Sequence, residues 1–72
     1  MEWRIYGPTG RLKERGIGDY VSLTDALWDA EEVLRDISSG EWWDTYEIRI
    51  YRLYPDGSRR QIYSKSYTGG GI

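Results

Sequence analysis

At 72 residues the chain has room for one domain, 1–72, and a domain of this size buries only about 60% of the surface its unfolded chain exposes, so the core is expected to be thin. Eleven residues are Trp or Tyr while Cys, His and Phe are absent, which excludes disulfides, zinc-finger sites, a thiol nucleophile and an imidazole base and leaves large contact-making side chains with polar tips. The formal net charge of -2 hides a segregation: residues 19–47 carry nine acidic groups and one basic, whereas the two flanks together hold nine basic groups and three acidic.

Glu2 to Tyr6 reads as a short strand, with Trp3 and Ile5 on one face, Arg4 and Tyr6 on the other, and Gly7-Pro8 as its end. From Gly7 to Tyr20 four glycines alternate with Arg11, Lys13 and Arg15 and no period survives, which predicts a long basic loop. Thr9-Gly10 as the tip of a small hairpin is the alternative. Ser22 to Asp25 resembles a capping box with Asp in the place of Glu. A helix then follows from the spacing of Leu23, Ala26, Leu27, Ala30, Leu34 and Ile37, and Ser38-Ser39-Gly40 supplies its stop. At 100° per residue Trp28 falls on the opposite side, beside Asp25, Glu32 and Arg35, and is expected to face solvent.

Thr45 to Tyr54 and Arg59 to Tyr67 flank Pro55-Asp56-Gly57 and predict a hairpin, because Pro presets φ and Gly takes a left-handed position. With a three-residue loop Ile50 lies opposite Ile62, Glu47 opposite Lys65 and Arg52 opposite Arg60. That register turns Tyr46, Ile48, Ile50 and Ile62 toward the helix and Arg49, Tyr51, Leu53, Tyr63, Lys65 and Tyr67 away from it. The tail from Thr68 is expected to fray. The fold class expected is α+β: one helix on a three-stranded antiparallel sheet, in the order strand, loop, helix, strand, strand. One helix covers one face of a sheet, so the other face stays open.

The open face combines Arg4, Tyr6, Arg49, Tyr51, Tyr63, Lys65 and Tyr67, a mixture suited to a protein interface, to a second copy or, less well given a pI near 5.0, to single-stranded nucleic acid. The acidic aromatic stretch offers a second patch, with Trp28, Asp25 and Glu32 on the helix and Trp43 in the turn after it. Trp42 and Trp43 are adjacent, and one of them is expected to cap the core. Carboxylate pairs such as Asp29 with Glu32 read as a solvated helix face rather than as acid/base machinery. The glycine-rich segment lacks any phosphate-loop spacing. As an alternative, Arg11, Lys13 and Arg15 from several copies enclose a nucleotide-like anion. No apolar run is long enough to span a membrane, the N-terminus lacks the apolar core of a signal peptide, and no metal or cofactor is called for; a cytoplasmic protein is expected.

In size, lack of cysteine, segregated charge and one-helix layout, the chain resembles the small accessory proteins, CRISPR inhibitors among them, that bacteriophages and mobile elements encode to block host machinery. The resemblance covers the whole chain as architecture and rests on no shared motif, so it assigns no residue a role. It implies stoichiometric inhibition of a larger host assembly in the host cytoplasm rather than turnover. The sequence reading is therefore a non-enzymatic protein-binding module, with Trp28, Asp25, Glu32 and Trp43 in one patch and Arg49, Tyr51, Tyr63 and Lys65 in the other.

Overall fold

The computed structural model describes residues 1–37 and 45–68. Four strands and one helix follow one another as β1 (Glu2–Tyr6), β2 (Leu12–Ile17), α1 (Leu23–Ile37), β3 (Thr45–Leu53) and β4 (Arg59–Thr68). The sheet order is β2-β1-β3-β4, with every neighbouring pair antiparallel. β2 and β3 thus run in the same direction on either side of β1. The smallest dimension of the molecule is 15 Å, the depth of one helix laid on one sheet.

The expected three-stranded sheet is corrected to four, and the expected basic loop to a β1–β2 hairpin. Gly10 at φ 81° makes the reversal, and its amide donates to the Gly7 carbonyl at 2.9 Å. β2 escapes a periodicity search because it is an edge strand exposed along almost its whole length, so neither face needs an apolar row. What holds it is backbone pairing with β1 and the fit of Gly16 beneath the Trp3 indole.

α1 starts where the cap places it: the Asp25 amide donates to Ser22 Oγ at 3.3 Å. Ala26, Ala30 and Leu34 are fully buried and Leu23, Leu27, Val33 and Ile37 pack around them. Opposite stand Trp3, Ile5, Tyr46, Ile48 and Ile50, brought onto one sheet face by the pairs Trp3↔Ile50 and Ile5↔Ile48. The proposed helix stop and the tryptophans at 42 and 43 lie outside the described residues.

The β3–β4 turn is the three-residue loop expected, with Gly57 at φ 89° and Tyr54 bonded to Ser58. Arg52 faces Arg60 as read from the sequence, but one step further the ladder shifts: Tyr51 pairs with Gln61 and Ile50 with Tyr63. The bulge at Ile62 corrects the pairs expected beyond it, because Lys65 faces Ile48 and Ser66 faces Glu47. A one-residue slip exchanges the two faces of a strand. Tyr63, Lys65 and Tyr67 therefore belong to the helix-bearing side, where Tyr67 is buried and its hydroxyl donates to Glu31 Oε2 at 2.5 Å.

Candidate functional site

Two surfaces remain outside the core, on opposite sides of the molecule. On the outer side of α1, Trp28 is 67% exposed. It lines a shallow hollow of about 270 Å³ with Glu31, Glu32 and Arg35. Asp25 and Asp36 are exposed on the same side. These residues share a face because helical neighbours three, four and seven positions apart stack above one another. Glu31 is held by Tyr67, and Asp29 accepts from both Tyr20 Oη and Trp3 Nε1, the latter at 3.2 Å, so both carboxylates are engaged in the fold. That leaves Asp25, Glu32 and Asp36 against Arg35 as the outward charge of the helix.

The second surface is the uncovered sheet face. On it Glu2, at the start of β1, has a fully buried side chain although no described element lies over it. Arginines close over it instead: Arg4 Nε donates to Oε2 at 3.1 Å, Arg15 Nη1 stands 3.7 Å from the same oxygen, and Arg59 Nη1 reaches Oε1 at 3.2 Å without hydrogen-bond alignment. Three cations on one carboxylate leave an excess of positive charge, and Arg15 and Arg59 are 56% and 42% exposed in their side chains.

Beside this cluster two tyrosines and two arginines interlock. The Arg4 guanidinium sits 5.0 Å from the Tyr51 ring centroid and that of Arg49 sits 4.4 Å from the Tyr6 ring. Arg49 also bonds Glu47 at 3.0 Å. The Tyr6 hydroxyl is pulled below its ordinary pKa, first by the hydrogen bond from Arg4, whereas burial pushes Tyr51 up. Leu12, Ile17 and Leu53 add exposed apolar surface; the pairs Tyr6↔Leu12, Glu2↔Ile17 and Leu53↔Arg59 put them on this face.

Of the residues singled out in the sequence, Trp28, Asp25 and Glu32 come together on α1, and Arg49 and Tyr51 come together on the open face. Tyr63 and Lys65 do not join them: Tyr63 is half-buried against the core, and Lys65 Nζ lies 5.1 Å from the Tyr67 ring on the helix-bearing side. Trp43 lies outside the described residues. Arg11 stands at the β1–β2 reversal and Arg15 four residues on, roughly 13 Å along an extended strand. The Lys13 stem lies over Gly7. A single copy thus does not converge Arg11, Lys13 and Arg15 on one anion.

Sequence reasoning missed Glu2 and Arg59. The alternation of β1 does put Glu2 on the face of Arg4, but only the side-by-side packing of β2, β1, β3 and β4 brings Arg15 and Arg59 to it. Among the described residues no group of three or more carboxylates stands close enough to hold a metal, and no helix is long and apolar enough to cross a membrane. No protein family, curated protein or solved structure matches the chain.

Proposed function

We propose that the chain is a non-enzymatic binding module that docks the outer face of α1 onto a basic site of a larger protein and blocks it, as the small inhibitors of bacteriophages do. The observation behind this reading is Trp28, a large aromatic side chain left two-thirds exposed among carboxylates on the side of the helix away from the core. Tryptophan is the residue most enriched among interface hot spots. An indole face beside Glu32 suits a lysine or arginine side chain, which gains a cation–π contact and an ion pair together. Acidic surroundings speed the encounter with a basic groove and make it salt-sensitive.

Affinity capture from native cells, with the retained protein identified and then purified for calorimetry, tests the reading. Wild-type protein is expected to retain a partner whose contact surface is basic. Trp28→Ala is expected to weaken the isolated complex by roughly 30-fold or more, the loss typical of a hot-spot residue. An unchanged affinity for Trp28→Ala would remove the helix face from the binding surface.

A further inference from the structure

The two exposed faces are each other's complement. On the sheet, Arg4, Arg15, Arg49 and Arg59 outnumber Glu2 and Glu47 by two charges, while Asp25, Glu32 and Asp36 on α1 outnumber Arg35 by two. We infer that the chain self-associates head to tail, with the outer face of α1 of one copy seated on the open sheet face of the next. Trp28 lies against the exposed Leu53 and Ile17, and Asp25 and Glu32 meet Arg15 and Arg59, the two arginines that Glu2 holds least firmly.

The alternatives are weaker on the same residues. A two-fold dimer of open sheet faces sets an excess of two positive charges against an identical excess, and a two-fold dimer through α1 does the same with negative charge. A nucleic-acid platform needs tyrosine rings free to stack on bases, yet Tyr6 and Tyr51 already carry guanidinium groups over them. The dimensions also agree: a 15-residue helix is about 22 Å long, and four strands at about 4.8 Å spacing are close to that width. Such a contact falls below about 1,200 Å² in total, in the range of weak, fast-exchanging interfaces. The assembly shares the Trp28 face with the proposed function but needs no foreign protein, so either stands if the other fails.

Sedimentation velocity from micromolar to millimolar protein, at low and high salt, tests it. The sedimentation coefficient is expected to rise with concentration at low salt and to return to that of a monomer at high salt. Arg15→Glu with Arg59→Glu spoils only the sheet face, and Trp28→Ala with Glu32→Lys spoils only the helix face. Each double variant is expected to remain monomeric, and an equimolar mixture to sediment as a capped dimer. If circular dichroism shows the arginine reversal to be unfolded, Arg15→Gln replaces it, with self-association weakened about tenfold. A monomer at every concentration, association that persists in either double variant, or assembly only on added oligothymidine would overturn the inference.

Discussion

Trp3 shows how little slack so thin a domain has. Its indole is pinned at Nε1, which donates to the Tyr20 hydroxyl at 2.9 Å and to Asp29 at 3.2 Å, while its six-membered ring lies on Gly16 of β2. A methyl group on Gly16 would stand 2.4 Å from Trp3 Cζ2, closer than any real carbon contact. The ring has no direction in which to retreat without breaking its hydrogen bonds or opening the edge of the sheet. Gly16→Ala is therefore expected to cost about 1–3 kcal/mol, lowering the thermal midpoint by roughly 4–8 °C per kcal/mol; an unchanged midpoint in calorimetry would show that Trp3 is free to move. Glu2 is the counterpart on the other face. Without its carboxylate Arg4, Arg15 and Arg59 would repel one another across three strands.

At the scale of elements, β4 is held to α1 by one bond that titrates. The Tyr67 hydroxyl, buried and donating to Glu31, ionises well above the ordinary tyrosine value of 10.0, and Tyr20 is raised likewise by burial and Asp29. Because the folded-state pKa is the higher one, this stabilisation is intact below about pH 10 and is lost as pH rises toward the folded value, the unfolded chain releasing its protons first. Tyr51, raised by burial, adds to the loss, and Tyr6, shifted the other way by the hydrogen bond from Arg4, partly offsets it. Urea midpoints are expected to fall between about pH 9 and about pH 11, and to fall less in Tyr67→Phe, which at neutral pH costs about 1 kcal/mol. Equal slopes for the two proteins would contradict this account of Tyr67.

That same bond explains what was legible in the sequence. The capped helix and the Pro55-Asp56-Gly57 turn could be read because each is signalled by residues adjacent in the chain. The bulge at Ile62 could not, since no residue beside it signals it and its consequence, Tyr67 bonded to Glu31, joins residues thirty-six positions apart. A ladder continued through the turn without the bulge puts Tyr63, Lys65 and Tyr67 on the open face, whereas Arg49 and Tyr51, on the unbulged strand, keep the face that alternation gives them. β2 was hidden for a different reason. An exposed edge strand needs no alternation, and its one fixed requirement, a glycine under Trp3, is a tertiary fit.

Over the whole molecule the segregated charge becomes geometry. From the acidic middle of the chain Asp25, Glu32 and Asp36 lie outward on α1, and arginines from β1, β2, β3 and β4 gather on the far side of a body 15 Å deep. Among the described residues nothing covers either surface within one copy, and each carries aromatic and charged residues of the kinds found in protein contacts. The direct measurement is a set of amide and indole ¹H–¹⁵N spectra recorded on dilution at low salt, which reports both faces at once. Resonances of Asp25, Trp28 and Glu32 and those of Arg15, Tyr51 and Arg59 are expected to shift together while the buried Ile5 and Ile48 stay fixed. Spectra unchanged over the whole dilution, or shifts confined to the free edge of β4, would contradict it.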